Sequence, residues 1–233
     1  MPRTNKQNEK IRETSKNKIL ETTLQLYVVY GYNGTDMDTV ADKAGVAKGL
    51  LYYYYKNKNK LFRELFNMVM KKITDISNEF FLKTKGMTPV EKLVSYSVDI
   101  FGLGISNPDY IRFSMRLPFD AYSVFGPDGW QEGMSASRIH MKNLEKIIGD
   151  GMEQDRMNCR DAASGANAYW TVFVSGLFNF TIMIGKTRNM DNTSNLGMLE
   201  NLMEFGMNGL QINSSEWKEA LKKCMEEKQH ESV

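Results

Sequence analysis

Ala41, Gly45 and Leu51 stand four and then six residues apart, and that spacing narrows what the surrounding segment can become. A small residue lets one helix approach another closely. A glycine four positions on takes the left-handed turn that a sharp change of direction requires. A leucine six further on falls on the inner side of a second helix, and Val40 and Val46 are placed to seal the crossing with it. The segment from Thr39 to Tyr55 is therefore expected to form two short helices crossing steeply at Gly45.

Around this hairpin the apolar residues recur at spacings of three and four, and strand-like alternation is scarce. A first helix is expected from about Ser15 to Tyr30, with Ile19, Thr23, Leu26, Tyr27 and Tyr30 inward and Gly31 as its stop. Short helices over 37–44 and 48–55 follow, then a long one over about 57–78. Further helices are expected over about 89–103, 108–117, 131–152, 161–184, 194–210 and 215–228. The run from Leu117 to Trp130 holds Pro118, Gly126, Pro127 and Gly129 and reads as a loop. The fold class is all-α: an N-terminal three-helix helix-turn-helix head, then a larger C-terminal helical bundle. Its expected divisions are a flexible basic N-terminus over 1–14, a head over 15–60 and a body over 61–233.

Residues 1–60 hold 11 basic and 6 acidic side chains, whereas the remainder holds 19 and 22. A basic first quarter on a slightly acidic body points to a polyanionic partner for the former. The second helix of the hairpin opens with Lys48, able to reach a phosphate or guanine edge, and Gly49, which lets the backbone come close. Tyr52, Tyr53 and Tyr54 can donate to phosphates or touch thymine methyls. Lys56, Lys58 and Lys60 cluster where the next helix begins.

Gly31-Tyr32, Thr35, Val40-Ala41, Ala44-Gly45-Val46, Lys48-Gly49, Leu51-Tyr52, Tyr55, Lys58 and Leu61-Phe62 together resemble the TetR family of bacterial repressors. The likeness covers about residues 15–65, and Ile19-Leu20 and Leu26-Tyr27 extend it into the first helix. It implies an all-helical homodimer whose C-terminal core takes a ligand and which leaves DNA when that ligand binds. It also implies DNA contacts at Thr35, Lys48, Gly49, Tyr52, Tyr53, Tyr54 and Lys58, and pairing of twin subunits through about 161–184 and 194–210. Ala47 departs from the usual capping Ser or Thr, Tyr54 from a frequent His, and Tyr55 from a common core Phe whose place brings no hydroxyl to satisfy.

Beyond the head the chemistry is read from side chains alone. Large soft residues crowd 96–134 and return near 170, as the walls of an apolar or aromatic ligand pocket would. Candidate lining residues are Phe101, Tyr110, Phe113, Phe119, Trp130, Met134, Trp170 and Phe173, with Arg116 and Asn167 as polar handles beside Arg112 and Asp99. Ala162 to Gly185 carries no charge over 24 residues, but Asn167, Thr171, Ser175 and Asn179 recur every four and suit a helix buried in protein better than one in lipid.

Cys159 and Cys224 lie 65 apart in no metal or disulfide pattern, which fits a reducing cytoplasm. Neither His140 nor His230 sits in a catalytic pattern, and Gly102-Leu-Gly104 lacks the third glycine of a dinucleotide loop. No enzyme, cofactor or metal is therefore expected. The expected partners are a palindromic DNA operator, a small apolar or aromatic molecule and a second copy of the chain. The competing reading is a helix-turn-helix activator or architectural DNA binder with no small-molecule ligand.

Overall fold

The computed structural model describes residues 5–133, 135–184 and 192–231. Among them the chain forms ten helices and no strand. They are α1 (Asn5–Gly34), α2 (Met37–Ala44), α3 (Lys48–Tyr54), α4 (Lys58–Lys83), α5 (Pro89–Ser106), α6 (Pro108–Gly133), α7 (Ser135–Glu153), α8 (Ala162–Ile184), α9 (Asn192–Gly209) and α10 (Ser214–Glu231). The chain divides into two compact units, residues 1–72 with 112–135 and residues 73–111 with 136–233. The first takes in the segment expected for the head and adds the start of α4 and most of α6, which that expectation left in the body.

In the first unit, α1 buries Ile19, Leu20, Thr23, Leu24 and Tyr27, while Tyr30, expected inward, is exposed. The helix starts ten residues ahead of Ser15, because Lys, Gln, Glu and Arg favour helix locally even where no apolar face asks for it. Gly31 breaks it with φ 72° and ψ −177°. Thr35 closes the exit, its hydroxyl donating to the Gly31 carbonyl at 2.9 Å. On the same side, Phe62 of α4 meets Tyr27 and Tyr32 edge-on, and Phe66 meets Phe125 of α6.

The loop expected over 117–130 is instead helix. α6 runs through Pro118 and breaks only at Gly126, with φ 75°, after which Pro127 opens the next helical stretch. The reason is tertiary. Phe113, Leu117, Ala121, Val124 and Phe125 recur at helical spacing and are all buried, and that burial outweighs the backbone bond that Pro118 forgoes. Carbonyls near the break are bonded from α4: Asn59 donates to Val124 O, and Arg63 to Phe125 O at 3.1 Å.

In the second unit, α5 begins with a complete capping box, Thr88 and Glu91 each bonding the other's backbone N–H, and with Pro89 in the first turn. It packs on α8 and α10, and α8 packs on α9. Gly176 and Gly206 let α8 and α9 close up, since a Cβ on either would overlap Leu202 or Tyr169. Lys223–Glu91 (3.2 Å) and Lys228–Asp99 (2.5 Å) fasten α10 to α5. Asp99, expected as a ligand handle, is thereby committed to an ion pair.

The polar stripe of α8, expected on a helix buried on nearly all sides, is largely open in the single chain. Asn167, Thr171 and Asn179 are exposed, and Ser175 is half-buried. Among the described residues no helix is long and apolar enough to cross a membrane.

Candidate nucleic-acid interface

The crossing of α2 and α3 follows from local chemistry. Asp36 caps α2, its carboxylate accepting from the Thr39 N–H at 2.7 Å, and these bonds hold its pKa below the usual carboxylate value. Gly45 ends α2 in the left-handed region at φ 62°, ψ 39°. Its N–H donates to Asp42 O at 3.2 Å and that of Val46 to Ala41 O at 3.0 Å, so the last carbonyls of α2 find donors. Val40, Ala41, Ala44 and Leu51 are fully buried at the crossing. α3 starts at Ala47 without a side-chain cap, which leaves its first N–H groups unmet by side chains.

One face of α3 remains outward. Lys48 and Gly49 are exposed, and Tyr52 and Tyr53 are 46% and 71% exposed. Tyrosines that open to water on a seven-residue helix bury little of their rings, so packing within this chain does not account for them. The Lys48 ammonium rests on Asp38 at 2.7 Å, and this hydrogen bond raises its pKa. Both side chains are half-exposed, so the pair is weak and can be exchanged for a phosphate.

Three other residues expected at DNA are placed differently. Thr35 is buried and tied to Gly31, which makes it a support for the end of α1. Lys58 lies 4.6 Å from the Tyr32 ring centre and donates to Asn33 O at 3.3 Å; partial burial pulls its pKa down. Tyr54 is half-buried between Tyr53 and Tyr55. Tyr55 itself is 4% exposed, and its hydroxyl has no partner among the described residues.

The residues expected to line a ligand pocket fall in both units. Phe113 packs against Tyr27 and Phe66 in the first unit. Arg116 pairs with Asp120 at 3.3 Å and is bonded to Val29 O, while Phe119 is 85% exposed. In the second unit Phe101 stacks on Phe180, Phe173 stacks on Tyr169, and Trp170 meets His140 edge-on at 3.9 Å between ring centres. Tyr110 is half-buried, and Asn167 is exposed and bonded to its own helix at Ala163 O. Met134 and the Trp130 side chain lie outside the described residues.

Sequence reasoning left out two buried polar pairs in the second unit. The Tyr96 hydroxyl is hydrogen-bonded to His140 Nδ1, and the Ser97 and Tyr169 hydroxyls are 2.5 Å apart. Burial lowers the His140 pKa to about 4 and raises those of both tyrosines. His140 is 6% exposed. Its position four and seven residues before Leu144 and Ile147, both buried on α7, is the signal that could have located it.

The sequence profile of the bacterial regulatory proteins of the TetR family matches residues 19–65, which contain α2 and α3 with the second half of α1 and the start of α4. The HTH-type transcriptional regulator QacR of Staphylococcus aureus is 37% identical over 187 residues, covering 70% of this chain and 97% of that protein. An uncharacterized HTH-type regulator of Bacillus subtilis, YhgD, is 39% identical over 64 residues, 28% of this chain. That match spans only 34% of YhgD. The structure of Bacillus subtilis FadR in complex with stearoyl-CoA superposes with a TM-score of 0.60 at 17% identity, covering 82% of this chain and 97% of that one, and shares its fold. The exposed α3, the turn at Gly45 and the near full-length likeness to QacR agree: the chain belongs to the TetR family of helix-turn-helix transcriptional regulators, which are not enzymes.

Proposed function

We propose that the protein is a repressor that binds a palindromic operator as a homodimer and is released by a small apolar or aromatic molecule. The observation that carries this reading is the outward face of α3, where Lys48, Gly49, Tyr52 and Tyr53 stand exposed beyond a rigid, capped crossing. Entry of this helix into the major groove would put Lys48 and Gly49 at base edges or phosphates and the two tyrosines along the groove wall. Tyr54 and Lys58 would contribute at its far end, with Thr35 holding the support.

Dimerisation is supported by α8 and α9. Their exposed positions include Thr171, Val172, Asn179 and Ile182 on α8 and Asn201, Phe205 and Asn208 on α9, none of them charged. Glu200 and Glu204 of α9 are exposed beside them, so the face is an apolar and amide patch bordered by two carboxylates, and with a phenylalanine 77% open it is a surface that a second copy would cover. The ligand reading is supported by Phe101, Tyr110, Trp170 and Phe173 in the second unit, with the Tyr96–His140 and Ser97–Tyr169 pairs as buried polar groups able to orient a guest. FadR, a neighbour in fold, was solved with stearoyl-CoA, whose acyl chain, though not its coenzyme A part, is apolar.

Release would be a population shift: the ligand binds more tightly to a state that does not fit the operator. α4, unbroken from Lys58 to Lys83, has residues in both units and is the proposed carrier of that change. The repressor would act in the cytoplasm, where its DNA is.

The test is selection of bound duplexes from a random pool with the wild type and with Lys48→Ala/Tyr53→Ala. The wild type should enrich a two-fold symmetric sequence with half-sites about one turn of DNA apart, roughly 34 Å, and the variant should enrich none. Recovery of an asymmetric site, or equal enrichment by the variant, would refute the reading. Repeating the selection across a panel of apolar and aromatic compounds finds the inducer as the one that abolishes enrichment.

A further inference from the structure

We propose that the N-terminal turns of α1 form a second DNA-contacting arm, with Arg12 and Lys16 on backbone phosphates beside the bases that α3 reads. This rests on the reading of α3 as the DNA-entering helix and adds residues to that interface.

The observation begins with a stripe. Arg12, Lys16, Ile19, Thr23 and Tyr27 follow one another at spacings of four, three, four and four, so they share one face of α1. The last three are fully buried and form the helix's contact with the rest of the head. The first two continue that face past the core, but the apolar character stops and cations take over. A helix continued only for packing would keep the stripe apolar or end near Ile19. Instead α1 extends 14 residues beyond Ile19, about 21 Å at the usual helical rise.

The second observation is where those cations lie. The Arg12 guanidinium and the Lys16 ammonium each stand 5.9 Å from the centre of the Tyr54 ring, at the C-terminal end of α3. The attraction of a cation for a ring face holds both beside the very helix proposed to enter the groove. Lys18, farther along α1, has its ammonium next to the Gly45 turn. Neither Arg12 nor Lys16 is in an ion pair among the described residues. The first 18 residues carry six basic and two acidic side chains. A duplex with α3 in its major groove has a phosphate strand running past the end of that helix, and charge complementarity selects this strand as the occupant.

Phosphate contacts are independent of sequence and release counterions, and the test uses both properties. Binding of the full-length protein is measured between about 50 and 200 mM salt on the selected operator and on a random-sequence duplex of about 30 base pairs. Arg12→Gln/Lys16→Gln should weaken both by roughly tenfold at the lower salt and flatten the salt slope by about 1–2. The selected base preferences should stay the same. Arg12→Lys/Lys16→Arg keeps the charge and should keep the slope, which separates phosphate contact from support of Tyr54. An unchanged slope in the glutamine variant, with wild-type protein that still binds the operator, overturns the arm alone. Wild-type protein that binds neither duplex overturns the reading of α3 and the arm with it.

Discussion

The space between Tyr96 and Trp170 suits a neutral imidazole. His140 is 6% exposed, is hydrogen-bonded at Nδ1 to the Tyr96 hydroxyl and lies against the Trp170 ring, with desolvation moving its pKa from 6.5 to about 4. Protonation is therefore disfavoured in the fold and free in the unfolded chain. Between pH 6.5 and about 4 the unfolded state holds a proton that the folded state lacks, so stability falls as the pH drops through this window. The loss from this group should reach about 2 kcal/mol at pH 5 relative to pH 7. Urea unfolding of the wild type and of His140→Asn at both pH values checks it. The asparagine variant should lack that share of the pH dependence, and equal dependence in both would mean that His140 is solvated. The spacing of His140 to Leu144 and Ile147 marks the inward side of α7, but it does not disclose the partners met there, because Tyr96 and Trp170 lie far away in sequence.

At the scale of elements, what could be read early is what short-range chemistry decides. The bounds of α2 were legible because Asp36 caps one end and Gly45 takes the left-handed turn at the other, each within four residues of what it bonds. α3 has no side-chain cap and was legible from the turn at Gly45 that precedes it and from its inward Leu51, with Lys48, Gly49, Tyr52 and Tyr53 exposed. α6 was not. Its prolines and glycines signal a loop, and only burial against Phe66 and Tyr27, more than forty positions away in sequence, outweighs that signal. Dispersal of the expected ligand residues has the same origin, since Phe113 and Arg116 are drawn into contacts with α1 and α4.

The join of α1 to α6 is itself testable. Asp120 accepts from the Tyr32 N–H at 3.4 Å and from Arg116 at 3.3 Å, and the Arg116 guanidinium lies against Gly31, where φ is 72°. Gly31→Ala puts a Cβ into the guanidinium and a non-glycine residue into a backbone region that glycine almost alone adopts. It should cost about 2–3 kcal/mol in urea unfolding. Adding Arg116→Ala should recover only the steric part, because the backbone strain remains. Full recovery would show that Gly31 is required for space and not for its φ.

For the molecule as a whole, the question is why a head this small should recognise a site at all. A single α3 presents four outward residues, enough to touch a few base pairs and too few to single out one site among many non-specific ones. Linking two such heads multiplies their selectivity, because the second binds at the high effective concentration set by the first, worth about 10²–10⁴ in affinity. The proposed dimer faces on α8 and α9 would supply that link, and in the isolated chain they carry Val172 at 42% and Phe205 at 77% exposure. Charge placed there should leave the fold of the subunit intact, since neither side chain is part of its core, while opposing association. Val172→Glu/Phe205→Glu is thus expected to sediment as a monomer with unaltered helical circular dichroism. It should lose about 100-fold or more in affinity for the selected palindrome and keep the weak, salt-sensitive binding to random duplex that each head makes alone. A variant that stays dimeric would move the interface to another face of the molecule. A monomer that still prefers the palindrome at wild-type affinity would mean that one head suffices, and the two-fold account of the operator would fall.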